Sequence, residues 1–273
     1  MTWLVLLAAL VSQPFLGITF IDRTETAPRP VHMRIVQIDL RAPGIRFKVS
    51  APEGPREVRR QTTLDFLRHE RAQVAINAHF FLPFPSDEPE AWVIGLAASD
   101  GRVYSAFEYP EQNFALLDNA PALNIDRRNR AAIVHRNPRQ ADGRHVREHV
   151  SLWNTVSGSA QIVTDGARST PPLAWYDAIA ARTAVGISRD GRTLTLFTVD
   201  GRGDSEGMRV TEVADLLRTD YGVWNALNLD GGGSTSLAMQ DPATGETKLL
   251  NTTAGTAGER AVGSSLAVFA RAR

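Results

Sequence analysis

Cysteine is absent from this 273-residue chain, and neither sign of charge is in excess. Without cysteine the chain forms no disulfide and offers no thiol as a nucleophile or metal ligand. The 30 basic and 30 acidic residues give a formal net charge of zero, which removes the electrostatic argument for binding nucleic acid or an anionic membrane surface. The hydrophobic content of 43% is enough for the core of one large domain or two small ones.

A long uninterrupted apolar segment is also missing. The N-terminal run over residues 3–10 continues unevenly to Phe20 and is broken by polar residues, a proline and a glycine, so no integral membrane span is expected. Its length suits the apolar region of a secretory signal, although a basic start and a clear small-residue cleavage site are lacking. We predict an export segment over residues 1–16, a domain over residues 17–273, and an extracytoplasmic location, periplasmic or secreted.

Strand-like patterns dominate the rest of the chain. Two of them, 182–188 and 193–200, flank an Asp-Gly pair and predict a hairpin. Two amphipathic patterns, 57–70 and 208–219, predict helices. The expected fold is α+β, a single domain with a large, mostly antiparallel twisted sheet and a few packing helices. The other predicted strands are 32–40, 45–49, 73–77, 92–98, 113–117, 131–134, 161–164, 226–229 and 264–270.

The most informative segment is the run that ends in Asp230 and continues through three glycines into Ser234. An apolar run before Asp230 predicts the end of a buried strand. Glycines allow positive φ and close approach of a ligand to the backbone. Successive N–H groups in such a turn can form a concave anion site. Gly231, Gly232, Gly233 and Ser234 are therefore candidate phosphate-binding residues, with a glycine-rich hairpin turn as the alternative.

Other polar residues occupy comparable positions. Asp200 also follows an apolar run and precedes a glycine, so two strands that end alike can bring two carboxylates to one rim. The alternative is a pair of turn-initiating aspartates. Glu212 is a third candidate carboxylate, with a helix-capping role as its alternative. Arg182 begins a strand-like run, where its guanidinium can grip phosphate oxygens two at a time, and the alternative is a surface arginine.

The order of these motifs resembles the phosphodiester glycosidase domain, a family that includes the lysosomal uncovering enzyme and bacterial proteins linked to exopolysaccharide. The resemblance covers roughly residues 31–270. The motifs that carry it are INAHFF at 76–81, RTAVGI at 182–187, VDGR at 199–202, EGM at 206–208 followed by Glu212, NLDGGGS at 228–234, and ERAVG at 259–263.

The resemblance implies hydrolysis of a sugar-1-phosphate diester, with release of a sugar such as N-acetylglucosamine from a phosphorylated glycan acceptor. Asp230, Asp200 and Glu212 are then the catalytic candidates, as acid, base or nucleophile. Asn77 is expected to orient the sugar, and Arg260 to complete the phosphate cradle or to form an ordinary surface ion pair with its neighbour.

Two further interpretations concern the residues that follow the 73–77 strand. His79 departs from the small residue that the family more often has at that position. It is interpreted either as a substrate-binding residue, in the form of a proton donor or phosphate ligand, or as a packed polar ring. Phe80, Phe81 and Phe84 are interpreted as core and loop anchors rather than sugar platforms.

No cofactor is expected, and the metal content is left open. Asp200, Asp204 and Glu206 could line a calcium site, although their spacing is not that of the twelve-residue calcium loop. The H-x-x-E-H motif at 145–149 lies in a basic, loop-like region, which disfavours a zinc peptidase. The functional alternative to an enzyme is a non-catalytic polysaccharide-binding or exopolysaccharide assembly protein on the same scaffold.

Overall fold

The computed structural model describes residues 7–107, 119–253 and 258–273. These residues form 21 strands, two α-helices and two short 3-10 turns, at Ala174–Tyr176 and Gly232–Ser234. The helices are α1 (Thr63–Glu70) and α2 (Val210–Asp220). The strands are β1 (Leu7–Phe15), β2 (Ile18–Glu25), β3 (Val31–Asp39), β4 (Arg46–Val49), β5 (Val58–Arg59), β6 (Val74–Asn77), β7 (Phe81–Leu82), β8 (Glu90–Val93), β9 (Ala97–Ser99), β10 (Arg102–Ser105), β11 (Ala122–Ile125), β12 (Ala131–Val134), β13 (Asn154–Ser157), β14 (Ala160–Thr164), β15 (Ala167–Arg168), β16 (Arg182–Ser188), β17 (Thr193–Val199), β18 (Val223–Asn228), β19 (Leu237–Gln240), β20 (Thr247–Leu249) and β21 (Ser265–Phe269).

The largest sheet has eight antiparallel strands in the order β1-β2-β3-β17-β16-β18-β14-β15. β16 and β17 form the hairpin that the sequence predicts, with Val185 opposite Leu196. Side chains alternate between the two faces of each strand, so Leu196 enters one apolar cluster and its neighbour Phe197 enters another. Both faces of this sheet are therefore buried.

A second sheet of five strands, in the order β20-β19-β6-β21-β4, packs against the first. The main core lies between these two sheets and contains Leu196 and Leu227 from one and Ile76 and Leu266 from the other. α2 covers the outer face of the eight-stranded sheet, and α1 covers the outer face of the five-stranded sheet. The central arrangement is thus helix, sheet, sheet, helix. Two smaller sheets, β10-β9-β13-β11-β12 and β5-β8-β7, complete the fold.

The helix boundaries follow from their caps. The side chain of Thr62 accepts the N–H of Asp65, which starts α1 six residues later than the sequence pattern indicates, and residues 58–59 are in β5 instead. α1 stops at Arg71, whose φ of 55° is left-handed. At the start of α2 the carboxylate of Glu212 accepts the backbone N–H of Arg209.

The expectation of a single, mostly antiparallel domain is confirmed, but the fold is largely β, with only two α-helices among the described residues. The strands of these residues form four sheets and not one large sheet. The predicted 92–98 strand is wrong as one element, because a turn at Gly95, with φ of 92°, separates β8 from β9. The predicted 113–117 strand lies outside the described residues. Residues 7–15 pair with β2 as strand β1, and their role in export stays a prediction. Neither helix among the described residues is long and apolar enough to cross a membrane.

Candidate active site

Asp230 lies two residues beyond the end of β18, where the chain leaves the eight-stranded sheet. Its backbone N–H donates to the carbonyl of Ala78 at 3.1 Å, and its carbonyl accepts the side-chain amide of Asn77 at 2.6 Å. The amide oxygen of Asn77 in turn accepts the Thr183 hydroxyl at 2.9 Å and the Ser236 N–H at 3.0 Å. Asn77 is fully buried, so it holds the Asp230 turn in place and does not face a ligand directly.

The side chain of Asp230 lines a small pocket of about 60 Å³ whose other walls are Phe80, Phe81, Phe84, Ile94, Ser234 and Arg260. Burial against these apolar walls raises the pKa of Asp230 to about 7. Hydrogen bonds from the Ser234 hydroxyl and the Gly231 N–H, together with the charge of Arg260, act in the opposite direction. Near neutral pH the carboxyl group is therefore present in both protonation states, as a general acid or base requires.

Arg260 supplies the positive charge of this pocket. Its Nη1 donates to the Ser234 hydroxyl at 3.2 Å, and its guanidinium stacks on the Phe84 ring at 4.6 Å from the centroid. A Cβ atom at position 233 would lie 2.3 Å from Arg260 Nη2. The absence of a side chain at Gly233 is thus what allows the guanidinium to lie over the turn.

The glycine turn does not form the predicted cradle of free N–H groups. The N–H of Gly232 donates to the Ala181 carbonyl at 2.8 Å, and that of Ser234 donates to the Gly231 carbonyl at 3.1 Å. The Gly231 N–H is directed to the Asp230 carboxylate. The expectation that Gly231 and Gly232 present N–H groups to a phosphate is therefore corrected, because the turn uses those donors internally.

Asp200 reaches the same edge of the sheet as Asp230 but does not enter the pocket. β17 and β18 both pair with β16, and Gly201 and Gly232 both lie against Ala181. The Asp200 carboxylate is only 1% exposed and accepts Arg34 Nη1 at 2.6 Å and the Thr252 N–H at 3.2 Å. Its position is that of a buried ion pair. Local sequence gives little signal for this partner, because Arg34 is one of several polar residues in β3, with His32, Gln37 and Asp39.

Arg182 also differs from the expectation. Its side chain is buried, with Nε donating to the Met208 carbonyl at 3.0 Å and Nη2 to the Trp175 carbonyl at 3.1 Å. Burial lowers the pKa of Arg182. Arg182 donates to Trp175, and the Trp175 ring contacts the Phe80 ring edge-on, with centroids 6.2 Å apart. Arg182 therefore stabilises the aromatic wall of the pocket indirectly, through Trp175.

His79 and Glu212 are two further corrections. His79 is fully buried, and its ring nitrogens contact the Ser264 hydroxyl at 2.7 Å and the Leu96 carbonyl at 3.2 Å. Burial lowers the pKa of His79 to about 4, so the ring is a neutral, packed group. Glu212 pairs with Arg29 and caps α2. Although burial acts in the opposite direction, hydrogen bonds from Arg209 and Arg29 hold the pKa of Glu212 below its usual range.

The aromatic residues have a larger part in the site than the sequence interpretation gave them. Phe80, Phe81 and Phe84 line the pocket, and Phe84 is 40% exposed. Within the described ranges there is no group of three or more His, Cys, Asp or Glu side chains arranged to hold a metal ion. The H-x-x-E-H histidine at 145 pairs instead with Asp142, while Glu148 pairs with His135.

This fold and pocket define a class: an antiparallel β protein with a protonatable carboxylic acid beside a hydroxyl and a guanidinium, suited to hydrolysis of an anionic substrate. The chain belongs to the phosphodiester glycosidase family, whose model matches residues 70–269. Family membership supports hydrolase chemistry of this kind.

Individual relatives agree with this assignment. The N-acetylglucosamine-1-phosphodiester alpha-N-acetylglucosaminidase of Mus musculus is 38% identical over 85 residues, which is 31% of this chain and 16% of the mouse protein. The Homo sapiens protein of the same name is 45% identical over 66 residues, or 24% of this chain and 12% of that protein. The matched segments thus span less than a fifth of these relatives.

The fold itself is found in the catalytic domain of the zebrafish enzyme of that name, described as auto-inhibited by its pro-peptide. The two structures superpose with a TM-score of 0.64 at 21% identity, over 98% of this chain and 83% of the zebrafish chain. At this identity the comparison establishes the shared fold.

Proposed function

We propose that this protein hydrolyses a glycosyl-1-phosphodiester and releases the sugar from a phosphorylated acceptor. The single observation that carries the proposal is the Asp230 carboxyl, with a pKa of about 7, in one pocket with Ser234 and Arg260. The relatives named for N-acetylglucosamine-1-phosphodiester chemistry make N-acetylglucosamine the first sugar to test. An extracytoplasmic location, through residues 1–16, is part of the proposal.

Each group has a distinct part in the proposed reaction. Arg260 binds the anionic phosphodiester, since a guanidinium matches phosphate oxygens, and the Ser234 hydroxyl orients the Asp230 carboxyl through its hydrogen bond. The sugar lies with its anomeric end against the phenylalanine wall. Protonated Asp230 gives its proton to the departing oxygen as the bond to that oxygen breaks, and a water molecule attacks the centre that the oxygen leaves. The attacking water releases one proton to solvent, and the Asp230 carboxylate regains its proton from solvent, so one water is consumed in each turnover. Because Arg260 supplies the cationic charge, the scheme requires no metal ion.

The test is hydrolysis of the methyl phosphodiester of N-acetylglucosamine-1-phosphate in solvent enriched in heavy oxygen, with and without chelator. We expect free sugar to be released in both conditions, and the labelled product identifies whether the C–O or the P–O bond broke. The rate should fall above about pH 7, because Asp230 loses the proton that it donates.

The Asp230→Asn variant should lose at least about 100-fold in kcat, the usual contribution of a positioned acid. Asp190→Asn, an exposed turn aspartate, is the matched control and should retain full activity. An Asp230→Asn variant with near-normal turnover would refute the assignment. Absence of turnover in the wild type together with binding of anionic glycans would instead support the polysaccharide-binding alternative.

A further inference from the structure

A second, larger pocket of about 430 Å³ adjoins the Asp230 pocket. The two pockets share three lining residues, Phe81, Phe84 and Arg260. Arg260 therefore faces both spaces, and a phosphodiester held by it has one substituent directed to each. The other residues that line the second pocket are Arg60, Ala261 and the loop at residues 85–89.

The floor of this second pocket is a stack of two cations and two rings. The rings of Phe81 and Phe84 meet edge-on at 5.9 Å. Arg60 lies over Phe81 at 5.0 Å, and Arg260 lies over Phe84 at 4.6 Å. Arg60 also donates to the carbonyls of Pro83 and Ser86, so its guanidinium fixes the loop, and the carboxylates of Glu88 and Asp87 lie near enough to act on its charge.

The charges at the rim differ in whether they are already paired. Glu88 forms an ion pair with Arg56, whose guanidinium stacks on Trp92. Asp87 is exposed, and its carboxylate makes no hydrogen bond or contact ion pair with any residue that the structure describes. The groups open to an occupant are thus an aromatic surface at Phe84, two prolines, and the Asp87 carboxylate, which only accepts hydrogen bonds.

We propose that this second pocket is the subsite for the leaving group of the phosphodiester, and that Asp87 selects a neutral, hydroxyl-bearing leaving group over one with a further negative charge. This inference rests on the proposed function. An apolar surface with a hydrogen-bond acceptor suits a polyol, whose hydroxyls donate to the carboxylate. A second anionic group would meet Asp87. The phosphodiester already occupies Arg260, and the charge of Arg60, the other cation that lines the pocket, is offset by the nearby carboxylates of Glu88 and Asp87.

The experiment compares three substrates with the same N-acetylglucosamine-1-phosphate part. Their leaving groups are methanol, a hexose, and the matching hexuronic acid linked through the same hydroxyl. The kcat/KM of the hexose and hexuronate substrates is expressed relative to that of the methyl diester for each protein. We expect the wild type to have a higher kcat/KM for the hexose substrate than for the hexuronate substrate. Asp87→Lys should lower the ratio of these two kcat/KM values about tenfold, the size expected for reversing one charge several ångströms away in water.

Glu246→Lys is the matched control, because it reverses an exposed carboxylate far along the chain, beside β20. Its ratio should equal that of the wild type. The shift in Asp87→Lys should also shrink at high salt, since exposed charges are screened. The proposed subsite would be refuted if Asp87→Lys and Glu246→Lys had equal hexose-to-hexuronate ratios of kcat/KM. It would also be refuted if the shift in Asp87→Lys did not change with salt. Failure of the wild type to hydrolyse the methyl diester would instead refute the proposed function itself.

Discussion

Asp200 and Asp230 occupy equivalent places in the sheet and have different chemistry. Each ends a strand, each precedes a glycine, and both strands pair with β16. Asp200 is enclosed with Arg34 as its ion-pair partner. Asp230 faces a pocket of phenylalanine side chains, and burial raises its pKa to about 7. The contrast teaches that local sequence places a carboxylate at the rim, whereas a partner from a distant strand determines whether it stabilises the fold or is available for proton transfer.

The largest stability effect is expected at the enclosed carboxylate. Asp200→Asn leaves the Arg34 guanidinium buried without a counter-charge, and removal of one partner of such a pair costs about 3–5 kcal/mol. Urea unfolding of the variant, compared with wild type and with the exposed control Asp190→Asn, measures this loss. A loss of unfolding free energy below about 1 kcal/mol would show that other groups compensate the charge of Arg34. The distinction between a structural Asp200 and a reactive Asp230 would then fail.

A smaller effect of opposite sign is expected at the pocket carboxylate. The folded-state pKa of Asp230 lies above the ordinary value of 3.8, so the folded protein binds more protons than the unfolded chain between about pH 4 and 7. Stability from this group is therefore lost as the pH rises through that range. The rise in this pKa from 3.8 to about 7 corresponds to about 4 kcal/mol, and since Asp230 is partly exposed we expect about half of it. Asp230→Asn, which cannot ionise, should therefore be more stable than wild type by about 2 kcal/mol at pH 8 and nearly equal to it below pH 4.

Thermal unfolding of both proteins at pH 4, 5, 6 and 8 tests this prediction. Effects of the other titrating groups are common to both proteins, so they cancel in the difference. A variant that is less stable than wild type at pH 8 would mean that the ionised Asp230 is held favourably by Arg260, and the acid role would be lost with it.

The smallest effect is expected at Glu212. Glu212→Gln keeps an oxygen that can accept the Arg209 N–H but removes the ion pair with Arg29, so we expect a loss of about 0.5–1 kcal/mol and an unchanged kcat. The test is to measure kcat and the free energy of unfolding on the same preparation of Glu212→Gln. A large fall in kcat without loss of stability would restore Glu212 to the catalytic group.

Local sequence was sufficient for some parts of this site. The β16–β17 hairpin followed from alternating apolar residues around Asp190, and the end of a strand before Asp230 followed from an apolar run and glycines. The position of Asn77 at a strand end was also predictable. Its task was not, because its amide bridges two sheets whose relative placement depends on contacts between segments far apart in sequence.

The remaining errors have the same physical origin. Asp200 and Arg34 are 166 positions apart, and no local pattern states that β3 will lie beside β17. Arg182 and His79 are polar residues in apolar surroundings, and sequence alone does not distinguish a group that faces a ligand from one whose hydrogen bonds are completed internally. Local sequence predicted the glycine turn, but the role of that turn depends on where Arg260 lies.

The bond between Asn77 and Asp230 also bears on the order of folding. It joins residues 153 positions apart, and contacts of such separation form only after a large loop-closure entropy has been overcome. The acid can therefore reach its working position only after both sheets have formed and docked. During refolding, activity should therefore appear among the last events, after the β16–β17 hairpin has formed. Recovery of turnover then reports when the native state is complete.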